Sequence, residues 1–444
     1  MPIPVKMGLL DRDGNSIPIL LENKKNEEKE TVLLITKAEE QFVFKNVKSH
    51  PIPSLLRGFS SPVKIDFNYK ENDLRILSKH DTDLFNKVDS CQQYIMNYTL
   101  ELIKTYQTKK SIELKDEFIE FFSDILKNSE NNPRVLSMML NIPKESEIAE
   151  KMSTIDVEAI LYVRAQMISE IATHLRSSLM TTYKKYQEEY KQEHMSNSSA
   201  DARSLKNTCL DYLTKLNDPE INKIAQSQFD KSISSNMTDT YAVLMSLTHI
   251  DCNERVNALE KFYKFWENDS LVLNKWFAAQ ATSALPGTLE NIKLLMQHPK
   301  FDIKNPNLVR ALLRPFIKNF SSFHASNGEG YKFLTETILR IDPINSGVAA
   351  EFVRAYAKWS DYDQSRQILM YKQLQFILQQ ENISKNVYEI ASKSLGDSEP
   401  AKKSKPVITE LPSLTKSPTL LFIQKNSGDF ESKASGALPQ KLNH

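Results

Sequence analysis

Histidines come first, because their spacing decides whether a chain can bind a catalytic metal ion. A zinc-peptidase helix needs two histidines four residues apart, with a glutamate beside the first as general base. No two of the eight histidines in this chain lie within one helical turn of each other. They are His50, His80, His174, His194, His249, His298, His324 and His444. The sequence therefore predicts no catalytic residue and no metal ligand in this chain.

Other motifs that carry chemistry are missing as well. The sequence contains no G-x-x-x-x-G-K-[ST], G-x-G-x-x-G, G-x-S-x-G or Cys-x-x-Cys segment, which excludes the common phosphate-binding and nucleophile motifs. Three distant cysteines, Cys91, Cys209 and Cys252, suit a reducing compartment. Without a signal-like N-terminus or a long apolar run, we expect a cytoplasmic protein.

Charge argues against two classes of partner. The chain has 57 basic and 56 acidic residues and a formal net charge of +1. A nucleic-acid or anionic-membrane partner requires a basic surface, which this balance does not favour.

Two glycines, Gly328 and Gly330, lie in a segment that is otherwise helical, and they predict a sharp turn or a close backbone approach there.

The elements that would position any site fall into two kinds. Up to about residue 80 apolar residues alternate, as in Ile3, Val5, Met7 and Leu9, and period two predicts strands. The break at residues 11–14 has turn chemistry. We therefore expect a β-sandwich of six or seven strands.

From near Asp83 to about Leu395 the apolar period is helical. Asn132 before Pro133 and Asp156 before Val157 have helix N-cap chemistry. Successive helices with short breaks predict stacked antiparallel pairs. Residues 396–444 are rich in proline, serine and lysine and are expected to be disordered. One apolar island in this tail could add a strand to a partner or to the chain itself; it consists of Leu420, Leu421, Phe422 and Ile423.

Many segments, in constant order, resemble the alanyl aminopeptidase (aminopeptidase N) family of zinc metallopeptidases. The β-region contributes PVKMGLL (4–10), QFVF (41–44) and PIPSLLRGFSSPV (51–63), and HDTDLFN (80–86) follows at the junction. The helical region contributes 141–143, 155–160, 236–239, 275–277, 305–310, 323–331 and 362–367. The resemblance covers roughly residues 1–395.

This resemblance implies a mainly α chain with an N-terminal all-β domain. It places an Ig-like β-sandwich at 1–82, an armadillo-like α-helical superhelix at 83–395 and the tail at 396–444. In the family, the zinc-binding catalytic domain precedes these two domains, and none of its residues has a counterpart here. The chain is thus expected to hold no cofactor and to be inactive alone. Its implied partners are a separately encoded catalytic half and peptides that enter a chamber capped by the helical domain.

The resemblance also implies roles for particular residues. Arg310 of the N-P-N-x-x-R segment, with Asn305 and Asn307, is expected to line the substrate chamber, although Arg310 also fits a plain helix-surface arginine. Glu351 stands where some members of the family carry arginine. The island at 420–423 is a candidate for partner docking. If the chain is a capping half made without its catalytic partner, an apolar face should remain exposed on the first strands and the adjoining helices.

Two other readings stay open. As the accessory half it could also be the remnant of a split or truncated gene. A second hypothesis is that it belongs to an intact enzyme whose catalytic domain lies outside this sequence. It could also be a helical-repeat scaffold that binds peptides or proteins without any peptidase activity.

Overall fold

A computed structural model describes residues 2–47, 50–127, 132–189, 197–396 and 419–424. The described residues form two compact units. One contains residues up to Tyr98 together with 419–424, and the other begins at Thr99. We call them the β unit and the helical unit. None of the helices in the described ranges is long and apolar enough to cross a membrane.

Seven strands form two sheets among the described residues of the β unit. They are β1 (Ile3–Leu10), β2 (Ser16–Ile17), β3 (Leu20–Leu21), β4 (Thr31–Ile35), β5 (Glu39–Lys45), β6 (Ile52–Leu55) and β7 (Thr419–Gln424). In the first sheet β1 pairs antiparallel with β2, β4 and β6. In the second sheet the order is β3-β5-β7. The expected turn at residues 11–14 joins β1 to β2, which confirms the hairpin.

Alternating side chains explain the sandwich. On β4, Leu33 and Ile35 are buried while Val32 and Leu34 are exposed, as a strand with one buried face requires. The buried residues of both sheets pack into one core, which contains Val5, Met7, Leu9, Leu21, Leu33, Ile35 and Phe44. The β unit is therefore a β-sandwich, as the strand alternation in the sequence predicts.

The apolar island of the tail lies in β7. This strand pairs parallel with β5, from Glu39 opposite Thr419 to Phe44 opposite Gln424. The chain itself thus provides the neighbouring strand for the island. The rest of the tail, 397–418 and 425–444, lies outside the described residues. The disorder expected for it therefore stays a prediction.

Helices begin earlier than the sequence suggests. The first two are α1 (Glu71–His80) and α2 (Leu84–Lys109), whereas the apolar pattern places the change near Asp83. Ile76 and Leu77 of α1 pack against Leu10 and Ile52 of the first sheet. The helix α1 belongs to the β unit because its apolar face is buried on that sheet.

The helical unit consists of successive helices, as expected. They are α3 (Asp116–Lys127), α4 (Pro133–Met139), α5 (Glu145–Ala149), α6 (Val157–His174), α7 (Arg176–Glu189), α8 (Asn197–Thr214), α9 (Pro219–Ser232), α10 (Met237–Thr248), α11 (Asn253–Trp266), α12 (Ser270–Ala281), α13 (Thr288–Leu295), α14 (Pro306–Lys318), α15 (Phe320–Phe323), α16 (Glu329–Ile341), α17 (Ser346–Val353), α18 (Gln364–Leu378) and α19 (Lys385–Leu395). The Asn132 and Asp156 side chains cap α4 and α6, which confirms both predicted helix starts.

One set of contacts joins distant parts of the helical unit. The backbone N–H of Ile155 donates to the Asp361 carbonyl at 2.7 Å, and the Asp363 N–H donates to the Ile155 carbonyl at 3.2 Å. This short parallel bridge lies just before α6 and α18. The array is therefore tied between an early and a late helix, which simple nearest-neighbour stacking does not require.

Candidate functional site

Arg310 lies on α14 and forms part of an ion-pair cluster. Its Nε donates to Glu351 Oε2 at 3.0 Å. Arg314, one turn later on the same helix, donates from Nε to Glu351 Oε1 at 2.6 Å. Residues four apart share a helix face, so both guanidinium groups reach the one carboxylate, which α17 carries. We call these three residues the arginine cluster.

The arginine cluster is partly exposed and carries more positive than negative charge. Burial disfavours ionisation of Glu351, but hydrogen bonds from Arg314 and Arg310 outweigh it and hold its pKa below the ordinary value. Two cationic groups against one carboxylate leave one positive charge. Chemically, such a surface can attract a carboxylate group.

Asn305 and Asn307 have different local roles. The Asn305 side chain caps α14 by accepting a hydrogen bond from the Asn307 N–H at 3.0 Å. Pro306 occupies the first turn, where it needs no N–H partner. Asn307 itself is exposed. That Arg310, Asn305 and Asn307 line a substrate chamber stays a prediction.

A cavity of about 290 Å³ lies elsewhere in the helical unit. It is lined by Asp251, Arg255, Ser283, Asn291 and the turn at 285–288. None of the three residues predicted to line the chamber borders this cavity. Among the residues that the structure describes, no group of three histidine, cysteine, aspartate or glutamate side chains is placed to hold a metal ion.

A buried polar cluster surrounds His324. Its Nδ1 lies 2.9 Å from the Tyr331 hydroxyl and its Nε2 lies 3.1 Å from the Tyr362 hydroxyl. The Arg366 Nε donates to the His324 carbonyl at 2.7 Å. Arg366 also donates to Glu158 at 2.9 and 2.5 Å through its two terminal nitrogens. The Arg366–Glu158 pair thus joins α18 to α6 next to the backbone bridge between Ile155 and Tyr362.

Burial keeps His324 neutral. Burial and the nearby positive charge of Arg366 lower the pKa of His324 to about 3. A neutral imidazole has one N–H donor and one acceptor nitrogen, so one tyrosine hydroxyl accepts a hydrogen bond and the other donates one. Burial also raises the pKa of Tyr362 to about 12. Neither side chain is suited to proton transfer near neutral pH.

The glycines of the neighbouring segment support this cluster. Gly328 has φ +74° at the start of α16, and a Cβ on Gly330 would meet the Phe323 carbonyl oxygen at 2.4 Å. The predicted turn and close approach are therefore both present. Sequence reasoning missed the cluster as a unit. The only signal was that Tyr331, Tyr362 and Arg366 all fall in the segments that resemble the family.

Another buried ion pair was not predicted. Lys206 of α8 donates to Asp239 of α10 at 2.7 Å, with side chains 1% and 3% exposed. Asn207 donates to the second oxygen of Asp239 at 2.9 Å. Burial lowers the pKa of Lys206, while the attraction of Asp239 opposes that change. The pair joins two helices of the array and lies apart from the arginine cluster.

The first strand does not form the expected apolar face, but Leu84 and Phe85 are exposed on the adjoining helix α2. Val5 and Leu9 are buried in the sandwich, and Ile3 packs against the same core.

Val32 and Leu34 of β4 are exposed on the first sheet. A second group of exposed apolar residues on the β unit consists of Phe59, Leu84 and Phe85, which we call the Phe59 patch.

Comparison with known proteins agrees with the fold. Residues 71–396 match a family described as a domain of unknown function (DUF3458_C) with ARM repeats. Residues 1–68 match a domain of unknown function (DUF3458) with an Ig-like fold. These two matches cover the β-sandwich and the helical array in the order seen in the structure.

Curated relatives and a solved structure carry related names. Aminopeptidase N of Haemophilus influenzae is 34% identical over 395 residues, covering 88% of this chain and 44% of the relative. Aminopeptidase N of Escherichia coli is 31% identical over 395 residues, which again cover 88% of this chain and 44% of the relative. The crystal structure of Legionella pneumophila aminopeptidase A in complex with aspartic acid has a TM-score of 0.76, is 31% identical, and is matched over 89% of this chain and 45% of that one.

The chain thus spans less than half the length of the relatives it matches. Within that span, the resemblance drawn from the sequence is confirmed. The chain belongs to the aminopeptidase N family and comprises its Ig-like domain and its armadillo-repeat helical domain.

Proposed function

We propose that this chain is the non-catalytic part of an aminopeptidase N-type zinc exopeptidase and that it caps the substrate chamber of a catalytic region outside this sequence. The main support is the match to aminopeptidase N of Haemophilus influenzae, which covers 88% of this chain but only 44% of the relative. This chain therefore corresponds to one part of that protein. The resemblance to the family assigns the zinc chemistry to that other region.

The arginine cluster supports the role in substrate binding. Its surplus positive charge suits peptides, whose carboxyl end is an anion at neutral pH. Arg310 and Arg314 point their Nε atoms at one carboxylate, so their terminal nitrogens remain the groups that meet an incoming anion. We place this function in the cytoplasm, where the free thiols of Cys91 and Cys209 stay reduced.

Hydrolysis of alanyl-p-nitroanilide tests the proposal. The purified chain with added zinc should release no nitroaniline, since it supplies no general base beside a metal ion. Hydrolysis that the isolated chain performs and that a chelator abolishes would refute the proposal. Full-length Escherichia coli aminopeptidase N serves as the control that the substrate and zinc are adequate.

The armadillo-repeat match favours a second function. Such arrays commonly bind extended peptides or partner proteins along their surface, so the chain is alternatively a scaffold with no peptidase partner. Fluorescent peptides with free and with amidated carboxyl ends separate the two functions. Binding that requires the free carboxylate and Arg310 supports the chamber, whereas binding insensitive to both supports the scaffold.

A further inference from the structure

The tail strand β7 supplies most of the pairing of β5. It lies opposite β5 from Glu39 to Phe44, whereas β3 pairs only with Phe44 and Lys45. Among the described residues, β7 is therefore the only strand neighbour along 39–43. Without β7, this edge of the second sheet would be a row of unpaired backbone N–H and C=O groups. Such a row is a template on which another extended segment can pair.

One hydrogen bond shows which backbone groups of β5 form this edge. The Glu22 N–H donates to the Val43 carbonyl at 3.0 Å, so the backbone groups of Val43 face β3. Backbone groups alternate between the two sides of a strand. Those of Phe42 and Phe44 therefore face β7, and their amide hydrogens report whether the edge is occupied.

The register defines the kind of segment that the edge accepts. Phe422 lies opposite Phe42, whose side chain packs against the sandwich core. Residues opposite each other in a strand pair belong to the same face of the sheet, so an apolar residue is favoured at this position. The segment 420–423 is apolar throughout and contains no proline or glycine, the residues that weaken a strand. The edge thus fits an extended apolar segment that runs parallel to β5.

The tail is tethered at this edge and is not a fixed part of the sandwich. Residues 397–418 join β7 to the end of α19. A linker gives the segment at its end an effective concentration on the order of 1 mM, so a free peptide at micromolar concentration competes poorly with it. Pairing through one short edge is by itself only marginally stable, and the tail can therefore exchange with another segment.

We propose that the outer edge of β5 is a binding site for an extended apolar peptide segment, and that residues 419–424 occupy it as a tethered internal ligand. Main-chain hydrogen bonds supply the affinity and the apolar side chains the selectivity. The tail closes the site while it is paired and opens it on release. The site belongs to the β unit, whereas the arginine cluster belongs to the helical unit, and the inference does not depend on the proposed function.

Fluorescence anisotropy with a labelled peptide of the sequence 416–426 tests the site. The test variant of the full chain is Leu421→Pro with Ile423→Pro, because proline lacks the N–H that a strand donates. The matched control is Lys402→Pro with Ser404→Pro, which adds two prolines to the tail at the same spacing and leaves β7 unchanged. Circular dichroism verifies that both variants fold.

The test variant should bind the peptide at least about tenfold more tightly than the unaltered chain and the control variant do, because the tether no longer competes. Failure of the test variant to bind the peptide, or equal binding by all three proteins, would overturn the inference. Self-association of the test variant that excess peptide does not reverse would also overturn it, because a second copy would then occupy the edge.

Hydrogen exchange of the β5 amides gives a second measurement, which begins with the unaltered chain. The amides of Phe42 and Phe44 should be protected there, should lose protection in the test variant, and should regain it when the peptide is added. Rapid exchange of both amides in the unaltered chain would show that the tail does not occupy the edge. Protection by the peptide at amides outside β5 would place its binding elsewhere, and either result would refute the site.

Discussion

Lowering the pH from 7 to 5 should destabilise the helical unit through His324. This side chain is buried between two tyrosines and close to Arg366. Its pKa is about 3 in the folded chain, against an ordinary value of 6.5. Because the pKa of His324 is lower in the folded state, the unfolded state binds a proton at pH values where the folded state does not. Stability is therefore fully present above pH 6.5 and is lost as the pH falls from there towards 3.

The size of the effect follows from the two pKa values. At pH 5 an unfolded histidine is almost fully protonated, whereas the folded His324 is almost fully neutral. The linkage relation then gives a loss of about 2 kcal/mol between pH 7 and pH 5. His249 adds a loss in the same direction, because burial and the charge of Lys215 lower its pKa to about 4.

Urea unfolding followed by far-ultraviolet circular dichroism measures this loss, since the helices of the helical unit dominate that signal. His324→Gln keeps a polar side chain but cannot titrate. Its free energy of unfolding should fall by about 2 kcal/mol less between pH 7 and pH 5 than that of the unaltered chain. An equal fall in both proteins would refute the assignment of a neutral buried imidazole to His324.

Three further outcomes are expected in thermal unfolding of the full chain. Gly8→Ala places a Cβ 2.7 Å from the Arg57 guanidinium. The free energy of unfolding should fall by about 3 kcal/mol, because the substitution displaces a buried, paired charge. An unchanged melting temperature would contradict this. Gly287→Ala, at φ +82° with nothing within 4 Å, should cost only about 1 kcal/mol of backbone strain, and a loss as large as that of Gly8→Ala would show that contact is not the cause. Lys206→Met should cost about 3–5 kcal/mol by leaving Asp239 buried and unpaired, whereas replacing both residues by apolar ones should restore much of that loss.

Local patterns predict local structure well in this chain. The Asn132 and Asp156 caps, the strand alternation and the turn at Gly328 all depend on residues a few positions apart, and the structure contains each of them. The helix α1 shows the limit. Leu74 and Ile76 alternate as strand residues do. In the structure Asp73 accepts a hydrogen bond from the Lys70 N–H at the start of the helix, and Ile76 and Leu77 pack on the sheet.

Long-range pairing is what the sequence leaves open. Nothing in the spacing of His324 indicates its two tyrosine partners, and nothing in the sequence around Arg310 and Arg314 indicates that Glu351, on another helix, pairs with both. Periodicity tells which face of a helix is buried and not which other helix covers it. The exposure of Phe59 was missed for the same reason, because its conformation depends on contacts with Asp83 and the first strand.

The bidentate pair of Arg366 and Glu158 joins residues 208 positions apart. In an open repeat array the terminal repeats fray first, and the array can be shortened without harm to distant repeats. Here the late helix α18 is fastened to the early helix α6. Amide hydrogens on these two helices should therefore exchange in one cooperative step, and removal of the last helices should loosen the region around Glu158.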